Sequence, residues 1–273
     1  MLSYIPSTPD IKDFKYYKVA NITQDVEPIE IDYRPLLPPC FDQMHRGVCV
    51  SEGAIGVKAF QEIQEGDYPD DGLSVAHLYC EIKRLEGNTN EGAMPKSAMQ
   101  ILKNIGVCKE STMPFHLLSD LPEGQLPKIP SNVYEEASKY KIKKFAQICS
   151  PFDISRKHLL NIIRATLRNE GVFTLALLIY DNFIPDIDGF LPLPQGDIKG
   201  GHQTAIIGDL PNIKCPDGSL GALILRNSWG TSWGCLNGYA YLPYSWLTYM
   251  VNIENINMWA ILEAWTACDM SYS

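Results

Sequence analysis

One cysteine of this chain stands in a setting suited to nucleophilic catalysis. Gln43 lies six residues before Cys49, and Gly47 lies two residues before it. Small and apolar residues follow, in a pattern that predicts a buried helix beginning at this cysteine. The backbone N–H groups of a helix's first turn stabilise a thiolate. The stretch therefore predicts a reactive thiol, with the side-chain amide of Gln43 as a donor to the oxyanion.

The predicted helix contains two interior glycines, Gly53 and Gly56. Each costs about 1 kcal/mol of helix stability relative to alanine. We therefore interpret them as positions where another element packs closely against the nucleophile helix.

A thiolate nucleophile needs an imidazole that holds its charge and later protonates the leaving amine. His202 follows two glycines and opens an apolar run that predicts a strand. Asn227 ends another apolar run, and its carbonyl can accept the ring N–H and fix the tautomer. The chain therefore carries the three side chains of a Cys-His-Asn triad, on a predicted helix and two predicted strands.

At these residues the sequence resembles the papain family of cysteine peptidases. Residues 227–234 read Asn-Ser-Trp-Gly-Thr-Ser-Trp-Gly, which is similar to the family's asparagine motif, and Gly-Gly-His at 200–202 is similar to its histidine motif. The order Gln, Cys, His, Asn is also the family's order. Asp32-Tyr33-Arg34 resembles the start of the family's mature domain, and Gly92-Ala93-Met94-Pro95 resembles its cleft wall.

The chain departs from the family pattern at three places. Arg46 stands where the family usually has a cysteine, and Val50 stands where it has an aromatic residue. The spacing between the histidine and asparagine motifs is long, which predicts an extended loop at 209–220. None of these departures touches the catalytic atoms.

The resemblance implies an α+β, papain-like two-lobe fold. Residues 28–120 would form a helical lobe around the nucleophile helix, and residues 121–273 an antiparallel, β-barrel-like lobe that carries His202 and Asn227. The sequence pattern agrees, with helices predicted at 74–85, 95–105 and 155–169, and strands at 140–148, 172–180 and 238–242.

The resemblance also implies a cysteine peptidase that acts on peptides or proteins without a cofactor or metal. Its catalytic residues would be Cys49, His202, Asn227 and Gln43. Trp229 would also shield the hydrogen bond between Asn227 and His202 from water. The residues that the resemblance assigns to substrate binding are Gly92, Ala93, Met94, Pro95, Leu175, Gly201 and Trp229.

Two other functions use the same residues. A catalytically silent papain-like protein would serve as a binding protein, although such proteins normally lose one of the four site residues. A thiol acyltransferase or isopeptidase would pass the acyl group to an amine instead of water. The chain keeps all four residues, so peptide hydrolysis is the main prediction.

Composition narrows the class of partner and the compartment. The formal net charge of −9 argues against nucleic acid and anionic membranes as partners. No apolar run reaches the roughly 18–20 residues of a membrane helix, and the N-terminus lacks the pattern of a signal peptide. The eight cysteines include no Cys-x-x-Cys pair, so we expect buried thiols, no zinc site and a reducing, cytoplasmic setting.

Residues 1–27 form an N-terminal arm that precedes the family-like region. It contains Pro6 and Pro9 and several aromatic residues, and it is too short to be the family's long helical pro-domain. In this respect the chain resembles prokaryotic members of the family. The arm would either be strapped to the body of the protein or cross the cleft as an intramolecular inhibitor.

Overall fold

The computed structural model describes residues 4–22 and 25–268. The predicted arm is therefore described at 4–22 and 25–27, and residues 1–3, 23–24 and 269–273 lie outside the described part. The helices are α1 (Tyr16–Val19), α2 (Cys49–Glu65), α3 (Val75–Glu86), α4 (Pro95–Asn104), α5 (His116–Ser119), α6 (Val133–Ala137) and α7 (Leu159–Asn169), with short 3₁₀ turns at Arg34–Leu36 and Tyr244–Thr248.

The strands form one large antiparallel sheet and one small hairpin. The order in the large sheet is β2-β9-β3-β4-β5-β6, with β1 paired to β4, and β7 pairs only with β8 among the described residues. The strands are β1 (Ile31–Asp32), β2 (Lys144–Cys149), β3 (Phe173–Tyr180), β4 (Ile198–Lys214), β5 (Leu220–Arg226), β6 (Tyr239–Pro243), β7 (Met250–Ile253), β8 (Ile256–Trp259) and β9 (Ile261–Cys268).

Helix α2 runs through the interior and begins at Cys49. A β-carbon at Gly53 would lie 3.1 Å from Nε2 of Gln203 and from the carbonyl oxygen of Thr204. Glycine therefore allows α2 to approach β4 closely at Gly53, as the sequence indicated. At Gly56 the expected close approach is not found, because a β-carbon there would meet only Cβ of Ala205, at an ordinary contact distance of 3.8 Å. The contact at Gly53 brings the start of the helix beside the strand that carries His202.

Helices α3 and α4 begin and end close to their predicted limits. The Ser74 hydroxyl caps α3 by accepting the backbone N–H of His77 at 3.0 Å. Pro95 occupies the first position of α4, where its missing N–H costs no hydrogen bond. This start of α4 directly follows the Gly-Ala-Met segment, so it fixes that part of the predicted cleft wall.

Three limits differ from the sequence prediction. Strand β2 begins at Lys144 instead of 140. The predicted loop at 209–220 is wrong, because β4 continues to Lys214 and pairs with β5 through Leu210↔Ala222 and Lys214↔Leu220. A register shift between these pairs accommodates Pro211, which has no N–H to donate to a ladder. Helix α7 begins at Leu159 instead of 155, because residues 150–158 form turns.

The apolar core has two main clusters. One packs α2, α3 and α4 together, and the other packs α7 against β3, β4 and β5. Trp265, from the far end of the chain, lies in the helical cluster, and Ile31 lies in the sheet cluster. The lobe limits at 28–120 and 121–273 stay a prediction. Within the described residues, no helix has both the length and the hydropathy of a bilayer span.

Candidate active site

His202 and Asn227 are joined by a buried hydrogen bond. The distance from Nε2 of His202 to Oδ1 of Asn227 is 2.7 Å. Oδ1 also accepts the backbone N–H of Ser228 at 2.8 Å, which identifies it as the acceptor. A neutral His202 therefore carries its proton on Nε2 and leaves Nδ1 as the basic atom. Among the described residues, Nδ1 has no hydrogen-bond partner.

Burial determines the charge of His202 in this state. The side chain is 0% exposed, and removal from water lowers the pKa of His202 to about 4, against the opposing effect of the Asn227 hydrogen bond. The neutral imidazole is therefore favoured at neutral pH while the site is covered. A neutral ring with an open Nδ1 can accept a proton from a nearby thiol.

Trp229 covers the imidazole. Its ring stacks on His202 at a centroid distance of 4.9 Å and an interplanar angle of 29°. Phe183 meets the rings of both residues edge-on. These rings cover the imidazole, which is 0% exposed. That Trp229 shields the hydrogen bond between Asn227 and His202 from water stays a prediction. Phe183 carried no motif in the sequence.

The side-chain amide of Gln43 is fixed in one orientation. Its Oε1 accepts the hydroxyl of Ser228 at 2.6 Å, and its Nε2 donates to the backbone carbonyl of Arg46 at 3.0 Å. The amide nitrogen has a second hydrogen to donate. Ser228 thus prevents the amide from flipping and keeps the nitrogen side in the donor position.

Cys49 is fully buried at the N-terminus of α2. Gln203, the residue after His202, donates from Nε2 to the carbonyl of Val50 at 3.1 Å. The first turn of the helix and the histidine strand are therefore tied together at neighbouring residues of Cys49 and His202.

A buried ion pair supports the loop before Cys49. Arg46 and Glu91 lie 2.9 Å apart with side chains 0% and 8% exposed. Glu91 also accepts the backbone N–H of Gly47 at 2.6 Å and that of Gly124 at 3.2 Å. Arg46 donates to the carbonyls of Leu118, Leu121 and Gln125. The loop before Cys49, the residue that precedes the predicted cleft wall and the segment at 118–125 are thus joined by one network.

The N-terminal arm lies across the predicted substrate-binding residues. The backbone N–H of Tyr4 donates to Gly201 at 3.3 Å, and that of Ile5 donates to Ala93 at 2.9 Å. A β-carbon at Gly201 would overlap the ring of Tyr4. The Tyr4 hydroxyl donates to Oε1 of Glu263 at 2.7 Å. The arm therefore bridges the Gly92–Pro95 wall and the histidine strand.

Further contacts hold the arm beside α4. The hydroxyl of Ser7 accepts the backbone N–H of Lys96 at 3.1 Å, and its own backbone N–H donates to Glu263 at 2.9 Å. The ammonium of Lys96 lies 2.6 Å from Asp13 and 3.4 Å from Asp10. These bonds fix the arm on both sides of the residues assigned to substrate binding.

Among the predicted substrate-binding residues, the arm contacts Ala93, Met94 and Gly201, whereas Leu175 does not face it. That side chain is fully buried in the sheet cluster. Its neighbour Ala176 packs in a small cluster with Tyr4 and Leu262, because alternate residues of a strand face opposite sides. Sequence reasoning also missed Glu263, although a single acid inside the apolar run of β9 was a visible signal.

Comparison with known proteins gives a consistent result. A model of the papain family of cysteine proteases matches residues 28–258. Xylellain, a cysteine protease from Xylella fastidiosa, superimposes with a TM-score of 0.74 at 21% identity, covering 98% of this chain and 96% of xylellain. No curated protein sequence matches this chain.

Two proenzymes also have similar structures. Procathepsin L 3 from the larval midgut of Tenebrio molitor has a TM-score of 0.62 at 19% identity, covering 90% of this chain and 71% of that one. ProCathepsin B S9 from Trypanosoma congolense has a TM-score of 0.61 at 16% identity, covering 99% and 83%. At such identities the likeness is one of fold.

Proposed function

Because this chain belongs to the papain family of cysteine proteases, we propose that it hydrolyses peptide bonds through Cys49, His202 and Asn227. The main support is the buried bond of 2.7 Å between His202 Nε2 and Asn227 Oδ1. It leaves Nδ1 as the basic atom of a ring tied to the start of the nucleophile helix. The substrates are peptides or proteins, and the residues that line the cleft determine which substrate sequences are preferred.

In the proposed reaction, His202 Nδ1 takes the thiol proton and the Cys49 thiolate attacks the peptide carbonyl. The oxyanion receives the side-chain N–H of Gln43 and the backbone N–H of Cys49; one such donor contributes roughly 2.7–4 kcal/mol in the transition state. The imidazolium then protonates the leaving amine, and an acyl-enzyme remains. Water attacks this thioester with His202 as general base, which restores the thiol.

We also propose that the N-terminal arm is an intramolecular inhibitor. The ring of Tyr4 packs against Gly201, next to the histidine that the mechanism uses, and its hydroxyl donates a hydrogen bond to Glu263. A peptide substrate cannot occupy this space until the arm leaves. An arm attached to the same chain has an effective concentration in the millimolar range, so weak docking suffices for inhibition.

Turnover of a short fluorogenic peptide tests the catalytic assignment. Cys49→Ala should abolish activity, His202→Ala should nearly do so, and Asn227→Ala should have a smaller effect. The losses should not add, because the three residues act as one unit. The exposed Lys139→Ser serves as a control. Near-normal turnover by folded Cys49→Ala would refute the proposal.

The same assay separates the alternative functions. An added amine competes with water for the acyl-enzyme, so a transferase gives mainly the amide product. A hydrolase gives mainly the free acid at millimolar amine. A silent binding protein gives neither product, even after the arm is removed by beginning the chain at Pro28.

Removal of the arm from a folded peptidase should raise kcat/KM, and an unchanged value would show that the arm is only structural.

A further inference from the structure

A groove outside the proposed active site separates the arm from the connection between β2 and α7. Its volume is about 830 Å³, and we call it the β2–α7 groove. The arm contributes Lys15 and Tyr17, and the connection contributes residues 152–159. None of the proposed catalytic residues lines it.

Arg156 lines the β2–α7 groove as an incompletely paired cation. Its side chain is 4% exposed, and Nη2 donates to the carbonyls of Ser150 at 2.9 Å and Leu262 at 3.2 Å. Within the described residues, Nε and Nη1 have no hydrogen-bond partner. The guanidinium also lies over the ring of Trp259, 5.0 Å from the ring centroid. A ring face does not replace the acceptors of these two buried nitrogens, which are costly to leave unsatisfied. They predict an anionic acceptor.

The N-terminus of α7 opens into the same groove. This helix has 11 residues, its first turn contains no acidic residue, and its N-cap residue, His158, makes no capping bond. Lys157, His158 and Leu159 all line the groove. The backbone N–H of Leu159 already donates to the carbonyl of Arg156 at 3.0 Å, so the N–H groups that follow it in the first turn are the ones that favour a bound anion, together with the helix dipole. This feature acts beside Arg156 and points to the same kind of ligand.

The acidic residues of the groove are already engaged by other groups. Asp25 accepts Nδ2 of Asn161 at 2.8 Å, and Asp153 accepts the backbone N–H of Ser150 at 2.8 Å. Against these two carboxylates stand the cations of Lys15, Arg156 and Lys157. The groove is therefore net positive in a chain whose formal net charge is −9.

Apolar side chains lie around these charges. Phe152 is 65% exposed, Ile154 is 101% exposed and Tyr17 is 41% exposed. A small inorganic anion would not use these surfaces, whereas a peptide with apolar residues beside its acids would cover them. The positive charge and the exposed apolar area of the groove together therefore favour an acidic peptide over an inorganic anion.

We propose that the β2–α7 groove binds an acidic, apolar segment of a polypeptide. One carboxylate accepts the backbone N–H groups that follow Leu159 at the start of α7. The guanidinium of Arg156 turns from the ring of Trp259 to donate its Nε–H and Nη1–H to the same carboxylate. Adjacent apolar side chains pack on Phe152 and Ile154. This site goes beyond the proposed peptidase centre and does not depend on it.

Calorimetry on the full chain carrying Cys49→Ala tests the proposal without cleavage of the probe. The probes are acetyl-Leu-Glu-Phe-Glu-amide and its uncharged counterpart acetyl-Leu-Gln-Phe-Gln-amide. We expect the glutamate peptide to bind about tenfold more tightly, as charge-assisted hydrogen bonds require, and more weakly at high salt. Equal affinities of the two peptides would overturn the proposal.

Variants locate the binding to this groove. Lys157→Ser and Arg156→Lys should each weaken binding of the glutamate peptide about three- to tenfold. Lys139→Ser, on another exposed surface, should leave this affinity unchanged. Arg156→Lys keeps the buried charge, so the fold is retained while the planar donor pair is lost. Inorganic phosphate should compete only weakly. Unchanged affinity in both groove variants, or phosphate binding as tightly as the peptide, would refute an acidic-peptide site.

Discussion

Arg46 and Glu91 form a buried ion pair with 2.9 Å between Nη2 and Oε1. Arg46 is the residue that stands where the papain pattern has a cysteine. The pair connects the nucleophile loop to the segment at 118–125 and to the backbone N–H of Gly47. In this chain a charged network therefore supports the loop that presents Gln43 and Cys49.

Arg46→Met should lower the free energy of unfolding by about 3–5 kcal/mol, because it leaves Glu91 buried without its counter-charge. The double variant with Glu91→Gln should recover part of this loss, because glutamine removes the unpaired charge and keeps an acceptor for the backbone N–H groups of Gly47 and Gly124. Chemical denaturation measures both. The control is Lys199→Met, which removes a half-exposed pair with Asp181 and should leave the free energy of unfolding nearly unchanged. If Arg46→Met lowered the free energy of unfolding as little as Lys199→Met does, a structural role for the Arg46–Glu91 pair would be contradicted.

Tyr4→Ala should raise kcat/KM for a small peptide substrate, because the ring no longer covers Gly201. Tyr4→Phe keeps the ring and loses only the hydrogen bond to Glu263, so it should raise kcat/KM less than Tyr4→Ala does. The lost bond should weaken docking of the arm by about 1.5–3 kcal/mol. Ile11→Ala is the matched control, since that side chain of the arm is fully exposed. Identical kinetics for all three variants would argue against inhibition by the arm.

Glu110→Gln should stabilise the protein above pH 7. Burial raises the pKa of Glu110 to about 7, opposed by the backbone N–H of Phe115 and reinforced by Asp71. Between pH 4.5 and 7 the folded state holds a proton that the unfolded state has lost, so stability falls as pH rises. Glutamine keeps an acceptor and cannot ionise.

The expected gain for Glu110→Gln is about 1 kcal/mol at pH 8 after allowing for solvent screening, and close to zero at pH 4. Thermal melts at both pH values measure it. Glu123→Gln, at an exposed position, is the control. A gain that is the same at both pH values would exclude ionisation of Glu110 as the cause.

The fold should not depend on oxidation. None of the eight cysteines, all within the described residues, forms a disulfide. The melting temperature should therefore be unchanged in excess dithiothreitol, and activity should hold or rise because Cys49 must be reduced. Loss of folded structure on reduction would contradict this prediction.

The helices and the candidate catalytic residues were predictable from the sequence for local reasons. Cys49 begins a helix because small and apolar residues follow it, and Ser74 and Pro95 mark helix starts through their own chemistry. The histidine and asparagine motifs are short and contiguous. The extension of β4 was missed because Pro211 and its polar neighbours hide the strand pattern.

What the sequence by itself determined is therefore the family, the fold class and the residues proposed for catalysis, since each depends on side-chain type and short-range spacing. Only the tertiary structure decided which side chains meet across long separations. It placed Tyr4 on Gly201 and Glu263, joined Arg46 to Glu91, and turned Ala176 instead of Leu175 toward the arm. These contacts depend on strand register and on how distant segments pack, and a linear pattern contains neither.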